Sequence, residues 1–303
     1  MTDVLRYATR GSALARAQSE QVRAALQRAH PGLRVEPVVI RTTGDVLTQG
    51  PLPAGGKGLF VKELDEALAA GTVDFAIHSL KDVPAVLASG MVLAASPPRA
   101  DPRDVLIAAA AGGLRDLPRG TRIGTASVRR RAQLLALRDD LDVVFLRGNV
   151  DTRLRKWRER DVDALLLAAA GLARLGIVEA AARPVPPDDL LPAVGQGALA
   201  LECRADDAHT RALLAAVGDA DTEVAIAAER GFLVGIGGDC NTPLAAHATV
   251  AGDVVRLRVQ VSTPDGRERL EADDRAPRAE ADALGRALAR RLLDRGAARL
   301  LGR

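Results

Sequence analysis

The sequence has 303 residues, of which 48% are hydrophobic and 27% are charged, and its formal net charge is +3 at pH 7. This length suits two or three domains with substantial apolar cores. A dense basic run with interleaved aromatics is the usual signature of nucleic-acid binding, and the sequence has none, so nucleic-acid binding is not expected. The two cysteines exclude a disulfide framework, and the four scattered histidines form no metal-binding motif, so we predict no metal site.

The sequence shows no targeting or membrane-spanning pattern, which favours a cytoplasmic location. Its first residues lack the apolar core of a signal peptide, and no apolar run reaches membrane-spanning length. So few cysteines also suit a reducing compartment. We therefore expect a cytoplasmic protein that binds neither membranes nor nucleic acid.

Strand and helix patterns alternate along the first two-thirds of the chain. Strands are predicted at residues 4–8, 34–41, 73–77, 104–108, 121–124, 143–146 and 164–170. Helices are predicted from Ser12 to residue 29, within residues 59–71, and from about residues 127 and 150. The Gly- and Pro-rich stretch 42–57 between them is typical of a lid or binding loop. This alternation predicts an α/β fold with parallel or mixed sheets and helices on both faces.

The last third of the chain has a different pattern. Residues 245–250, 254–261 and 267–272 alternate like antiparallel strands, between a helix at 222–234 and a closing helix from about 278. We predict a small α+β domain here. Pro-rich segments at 97–102 and 184–192 indicate domain boundaries.

Cationic and hydroxyl side chains recur where predicted strands end. The motifs are "YATRGS", "IHSLKDVP", "IGTASVRRR", "VFLRGNVDTR" and "GLAR". Ligands of α/β sheets bind beyond the carboxyl ends of strands, where helix N-termini favour anions. Of the arginine triplet, at most two can face a cleft, and we choose Arg129 and Arg130 over Arg131. The ligand should carry several negative groups.

Individual residues in these motifs leave two roles open. A lone arginine at a helix start is commonly a solvated cation, and only the shared placement favours a site. Asp82 could neutralise a neighbouring cation, or could stabilise positive charge in a reacting substrate and pass a proton. Cys240 could be an inert loop thiol or a reactive one. His78 is interpreted as a packed histidine at a strand end.

Taken together, the motifs resemble one enzyme family. "YATRGSALA", "GGKGLFVKE", "AIHSLKDVP", "ADPRD", "GTASVRR", "LRGNVDTR", "LPAVGQGA" and "GGDCNTP" occur in this order, most densely from Arg10 to Pro243. The chain thereby resembles the porphobilinogen deaminases, also called hydroxymethylbilane synthases. Several long motifs in register over nearly the whole chain make this resemblance specific.

The resemblance implies a three-domain fold. Residues 1–98 with 198–217 would form the first domain and residues 103–193 the second, as two lobes like those of periplasmic binding proteins around a cleft. Residues 220–303 would form the C-terminal domain that carries the cofactor. A monomer is the family expectation.

The resemblance also implies a transferase that joins four porphobilinogens with loss of ammonia and then hydrolyses off hydroxymethylbilane. Asp82 would be catalytic, beside the pyrrole nitrogens, and Cys240 would hold a covalent dipyrromethane through a thioether, with Cys203 a buried bystander. The motif matches assign cofactor binding to Ser79, Lys81, Thr125, Ser127, Arg129, Arg130 and Gly171. They assign binding of porphobilinogen and the growing chain to Arg10, Ser12, Lys57, Phe60, Arg147, Arg153 and Arg174.

Two departures from the family pattern concern the periphery of this site. A lysine common shortly before "GGK" is missing, so one lid contact is absent or replaced. Asp239 stands where glycine commonly precedes the cofactor cysteine, and its carboxylate should raise the pKa of the neighbouring thiol. A competing hypothesis is a non-catalytic two-lobed binding protein for an organic polycarboxylate, which leaves Asp82 and Cys240 without a role.

Overall fold

The computed structural model describes residues 4–46, 61–109, 112–239 and 241–303, with the side chains of 45 and 46 left aside. The chain divides into two compact units, Met1–Ala100 with Ala198–Glu223, and Asp101–Gly197 with Val224–Arg303. The three-domain division stays a prediction.

The described strands are β1 (Val4–Arg10), β2 (Arg34–Ile40), β3 (Phe75–Ser79), β4 (Met91–Ala95), β5 (Asp104–Ala108), β6 (Arg122–Gly124), β7 (Asp142–Val144), β8 (Ala164–Ala168), β9 (Ala182–Pro184), β10 (Leu199–Arg204), β11 (Leu244–Ala251), β12 (Val254–Ser262) and β13 (Arg269–Pro277). The described α-helices are α1 (Ala13–Ala29), α2 (Thr43–Val46), α3 (Lys62–Ala69), α4 (Val128–Leu137), α5 (Val150–Arg158), α6 (Ala169–Arg174), α7 (Ala208–Ala215), α8 (Ala220–Ile236), α9 (Ala281–Asp294) and α10 (Ala297–Leu300).

The first unit is built on a five-stranded sheet of order β2-β1-β3-β10-β4. β1 pairs in parallel with β2 and β3, whereas β10 pairs antiparallel with both β3 and β4. The predicted alternation therefore produces the parallel half of the sheet. The returning segment near residue 200 inserts as an antiparallel strand and makes the sheet mixed.

Helices cover both faces of this sheet, as predicted. On one face, Tyr7 and Phe75 pack with Leu26 of α1 and Leu214 of α7. On the other face, Ala76 packs with α3. The two faces follow from the strand period of two, which sends Phe75 and Ala76 to opposite sides of the sheet.

The second unit contains a five-stranded sheet of order β7-β6-β8-β5-β9 and a three-stranded sheet of order β11-β12-β13. In the larger sheet, β6 is parallel to β7 and β8, and β5 is antiparallel to β8 and β9. Leu106 packs on the side of Leu134 in α4, and Ile107 packs on the side of Leu154 in α5. This sheet too is covered by helices on both faces.

The smaller sheet is fully antiparallel, which confirms the predicted change of pattern in the last third. α9 contacts β12 and β13, as expected of a closing helix. Among the helices that the structure describes, none has the length and apolar character needed to cross a bilayer.

Candidate active site

In the first unit, the predicted site residues that the structure describes lie at one edge of the sheet. The parallel register of β1 and β3 aligns Ala8 with Ala76, so the segments after these two strands emerge together. β10 runs the other way and starts at the same edge, where Leu199 pairs with Ser79. This edge carries Arg10, Ser12, Ser79, Lys81 and Asp82.

The catalytic candidate Asp82 ends a short 3-10 turn, Leu80–Asp82, that follows β3 directly. Leu80 is buried in the unit, and its N–H donates to the carbonyl oxygen of Ala198 at 3.1 Å. The base of the turn is thereby fixed to the residue directly before β10. Lys81 is exposed and Asp82 half-buried at the surface of this anchored turn.

The two serines of this edge already accept hydrogen bonds within the unit. Ser12 caps α1, as predicted, because its Oγ accepts from the N–H of Ala15 at 3.2 Å. Ser79 Oγ accepts from Nε2 of Gln18 at 2.8 Å. In these bonds each hydroxyl acts only as an acceptor, which leaves its O–H to donate. A role in binding an anion stays a prediction for both serines.

In the second unit, the carboxyl ends of β6, β7 and β8 meet at one sheet edge, because these strands are parallel. β5 is antiparallel to β8, and its first residue, Asp104, pairs with Ala168 at the end of β8. The amino end of β5 therefore lies among the residues that follow the parallel strands. Those predicted residues are Thr125, Ser127, Arg129, Arg130, Arg147, Arg153, Gly171 and Arg174.

Thr125 and Ser127 shape the start of α4. The Oγ1 of Thr125 accepts from the N–H of Ser127 at 3.1 Å. The Oγ of Ser127, the N-cap residue, accepts from the N–H of Arg130 at 3.3 Å. These bonds satisfy donors that a helix start leaves open and fix the first turn, which carries the arginines.

Arg129 and Arg130 converge on Asp104 in a buried cluster. Nη2 of Arg129 donates to Oδ2 of Asp104 at 2.7 Å, and Nη2 of Arg130 donates to Oδ1 at 2.7 Å. The carboxylate is completely buried, and each arginine side chain is only 6% exposed. Burial alone would raise the pKa of Asp104, but the two guanidiniums outweigh it and hold that pKa well below its ordinary value.

Most remaining donors of this cluster bind main-chain oxygens. Arg129 donates to the carbonyl of Leu191 at 2.7 Å, and Arg130 to that of Leu166 at 3.0 Å. Nε of Arg129 is buried without a hydrogen-bond partner among the described residues. Two guanidiniums against one carboxylate leave the cluster with an excess positive charge.

These contacts do not test the prediction that Arg129 and Arg130 face a cleft. Their guanidiniums lie inside the second unit, because Asp104 at the start of β5 draws both inward. The third member of the triplet, Arg131, donates to the carbonyl oxygen of Val143 at 2.6 Å. The predicted binding role of Arg129 and Arg130 stays a prediction.

Arg174 is a cation of this edge that pairs with no carboxylate among the described residues. It is half-buried, and its Nη2 donates to the carbonyl oxygen of Gly197 at 2.8 Å. Its Nε is buried and has no partner in the described part of the chain. Burial lowers the pKa of Arg174 to about 10, so the group remains charged near neutral pH.

Arg147, Arg153 and Gly171 complete the set. Arg147 and Arg153 are half-buried, and Nε of Arg153 donates to the carbonyl oxygen of Asn149 at 3.4 Å. Asn149 caps α5 through a bond from Thr152. Gly171 is buried within α6.

Three predicted site residues, Lys57, Phe60 and Cys240, lie outside the described residues. Beside the last of them, Asp239 Oδ1 accepts from the N–H of Asn241 at 3.0 Å and from the hydroxyl of Thr242 at 2.9 Å. The Asp239 carboxylate is thus engaged within its own loop. Cys203 is fully buried, and burial raises the pKa of its thiol to about 11, as suits a bystander.

Two residues of the second-unit edge were not identified as site candidates from sequence. Asp104 was seen only as part of a strand and the "ADPRD" motif, and Gln196 only within "LPAVGQGA". Nε2 of Gln196 donates to Pro102 O at 2.6 Å and to Asp104 Oδ1 at 2.9 Å. The sequence signal that could have identified Asp104 is a charged residue at the first position of a buried strand.

Comparisons with known proteins bear on this chain over nearly its full length. A family model described as "Porphobilinogen deaminase, dipyromethane cofactor binding domain" matches residues 5–212, and one described as "Porphobilinogen deaminase, C-terminal domain" matches residues 224–294. The chain is 51% identical over 301 residues to a porphobilinogen deaminase of Syntrophotalea carbinolica, covering 99% of this chain and 96% of the relative. It is likewise 51% identical to one of Roseiflexus sp., covering 99% of each.

Solved structures give a weaker similarity. A putative methionine-binding lipoprotein of Bacillus subtilis aligns with a TM-score of 0.43 and 12% identity, covering 70% of this chain and 88% of the other.

Proposed function

Because the chain belongs to the porphobilinogen deaminase family, we propose that it joins four porphobilinogens head to tail and releases hydroxymethylbilane. In each addition, the aminomethyl carbon of one porphobilinogen bonds to the free α-carbon of the preceding pyrrole. Ammonia leaves the aminomethyl carbon, and the attacking carbon loses its proton. Water then cleaves the linear product from the protein.

The cofactor binding predicted for this chain is consistent with its donors. When bound, dipyrromethane supplies the free pyrrole carbon that receives the first unit. Cys240 would hold it by a thioether. The acetate and propionate arms of dipyrromethane need cationic donors, and Arg129 and Arg174 each have a buried Nε–H without a partner among the described residues.

The observation that carries the binding proposal is the uncompensated guanidinium of Arg174. Burial has removed water from this cation, and no carboxylate among the described residues replaces it. A buried polar group without a partner is costly, so an entering carboxylate would gain a charged hydrogen bond worth about 1.5–3 kcal/mol. Such a site selects acids such as porphobilinogen.

We assign the central chemical role to Asp82. Positive charge develops on the aminomethyl carbon and pyrrole nitrogen as ammonia departs, and a carboxylate near that nitrogen stabilises it. The anchored Leu80–Asp82 turn limits the motion of this carboxylate. Preorganisation of this kind makes electrostatic stabilisation effective.

Incubation of the purified holoprotein with porphobilinogen tests the proposal. We expect a ladder of covalent adducts on the intact protein by mass spectrometry, and one ammonia released per unit added. A protein that binds porphobilinogen without adducts or ammonia would be a binding protein and would overturn the proposal. The cytoplasmic location and monomeric state belong to the same proposal, and gel filtration of the holoprotein tests the latter.

A further inference from the structure

Three ionisable side chains of the first unit, none of them assigned a role above, meet beneath α3. His78 of β3 pairs with Ala200, and Glu202 of β10 pairs with Ala76. The two are therefore diagonal neighbours on one face of an antiparallel pair. That face is the one that α3 covers, and Asp65 of α3 completes the group.

The atoms of this group converge without bonding to one another. One carboxylate oxygen of Asp65, one of Glu202 and a ring nitrogen of His78 all lie within 4.8 Å of one another. Nε2 of His78 and Oε2 of Glu202 are 3.0 Å apart, yet neither atom has a hydrogen-bond partner among the described residues. The two atoms therefore lie close together without hydrogen-bond geometry between them.

Burial makes carboxylates without a bonding partner costly in this cluster. Glu202 is fully buried and His78 is 5% exposed. Both oxygens of Glu202 and Oδ1 of Asp65 are buried without hydrogen-bond partners in the described part of the chain. A buried carboxylate needs a donor, a proton or a cation, since its transfer from water is otherwise strongly unfavourable.

The arginine two positions after Glu202 is already bound to other groups. Arg204, two positions after Glu202, donates to the carbonyl oxygens of Leu68 and Val73 at 2.9 Å and to Asp207 at 2.9 Å. Within the described residues, no lysine or arginine pairs with Asp65 or Glu202. Two ionised carboxylates carry a charge that one divalent ion cancels.

We propose that Asp65, His78 and Glu202 bind one divalent first-row transition-metal ion of the Zn²⁺ class. Imidazole favours such ions over Mg²⁺ or Ca²⁺, and carboxylates complete a common three-ligand set. Bonds of about 2.1 Å place tetrahedral ligand atoms about 3.4 Å apart.

The ion would fasten α3 to β3 and β10. This is a structural role in the first unit and is independent of the proposed activity. His78 immediately precedes Ser79 and the Leu80–Asp82 turn, so the ion would also stabilise the strand that carries the turn. Anything that binds only the folded state raises its stability by mass action.

Metal binding by the chelator-treated holoprotein tests the site, with Zn²⁺ as the probe in calorimetry and elemental analysis, and Co²⁺ as a spectroscopic probe. We expect one Zn²⁺ per chain, a higher Tm with Zn²⁺, and a Co²⁺ spectrum of nitrogen and oxygen ligands. Loss of outer-shell partners alone costs about 10–100-fold in affinity, so Glu202→Gln should weaken binding at least about 100-fold. Asp65→Asn should act likewise, and its partly exposed position on α3 preserves folding if the buried variant is insoluble.

Glu66→Gln is the matched control. Glu66 lies beside Asp65 on α3, but it is 64% exposed and paired with Lys62. The affinity of the Glu66→Gln variant for Zn²⁺ should equal that of the wild type. The proposal is overturned if the wild type binds no Zn²⁺, or if Asp65→Asn binds it as tightly as Glu66→Gln does.

Discussion

Nε and Nη2 of Arg130 both donate to Oδ1 of Asp104, at 3.1 and 2.7 Å, in the interior of the second unit. Arg129 uses the other oxygen of the same carboxylate. One buried anion thereby holds the first turn of α4 against the start of β5. Its removal would leave two buried cations without a counter-charge.

We expect Asp104→Asn to destabilise the protein strongly. Removing one partner of a buried ion pair costs about 3–5 kcal/mol, because the remaining charge stays desolvated. Urea unfolding at pH 7 measures the effect. Asp101→Asn is the control, since the Asp101–Arg103 pair is about 40% exposed on both sides (37% and 43%) and should contribute about 1 kcal/mol or less. Equal losses in the two variants would contradict this assignment.

The buried Asp104 also predicts how the free energy of unfolding depends on pH. The pKa of Asp104 is lowered on folding from its ordinary 3.8, so below that value the unfolded chain binds the proton more readily. Its stabilising contribution is therefore complete above about pH 5 and shrinks as the pH falls through 3.8. The difference in unfolding free energy between wild type and Asp104→Asn should narrow on acidification from pH 6 to pH 3.5. If this difference widened on acidification, the stabilising role assigned to the ionised Asp104 would be refuted.

The location of the candidate residues could be predicted from sequence, whereas their electrostatic partners could not. Ser12, Ser127 and the arginines belong to local motifs in which a strand ends and a helix begins, so short-range rules place them. Asp104 reaches Arg129 only because β5 inserts antiparallel beside β8. No local pattern distinguishes that insertion from the parallel strand that the alternation favours.

The cluster beneath α3 illustrates the same limit. His78 was interpreted as a packed strand-end histidine, and it is indeed buried. Glu202, its neighbour at 3.0 Å, lies far along the chain on β10, which enters the sheet after the whole of residues 101–197. The prediction of no metal site rests on ligand motifs close in sequence, whereas Asp65, His78 and Glu202 are separated along the chain.

Arg174→Met should weaken substrate binding without destabilising the protein. The variant removes a partly desolvated cation that pairs with no carboxylate in the described ranges, so stability should be unchanged or higher. Loss of one charged hydrogen bond of about 1.5–3 kcal/mol corresponds to an increase in KM of about 10–150-fold. Steady-state kinetics with porphobilinogen and thermal unfolding measure the two effects separately.

Arg183→Met is the control for that experiment. Arg183 also donates to main-chain carbonyls, of Ala180 at 2.7 Å and Ala182 at 2.9 Å, but it is exposed. Its KM should stay within about twofold of wild type, since surface contacts of this kind contribute little. If both variants raised KM equally, Arg174 would have no special role.

The number of titratable thiols should report the cofactor attachment. Cys203 is fully buried with a thiol pKa of about 11, so native protein should not react through it near pH 8. After denaturation, the holoprotein should show one thiol, because a thioether blocks Cys240, and the apoprotein should show two. Two thiols in denatured, active holoprotein would refute attachment at Cys240.

Asp82→Asn should remove catalysis while it preserves the fold and the attached cofactor. The amide keeps the shape of the side chain but loses the charge that opposes the developing cation, which typically costs about 10²–10³ in kcat. Asp116→Asn is the matched control, since Asp116 also ends a 3-10 turn, Leu114–Asp116, but is exposed beyond the candidate edge. Single-turnover release of ammonia and the intact mass of each variant separate a chemical defect from a loss of cofactor. Wild-type rates in Asp82→Asn, or an equal fall in Asp116→Asn, would show that the charge of Asp82 is not what drives the loss of ammonia.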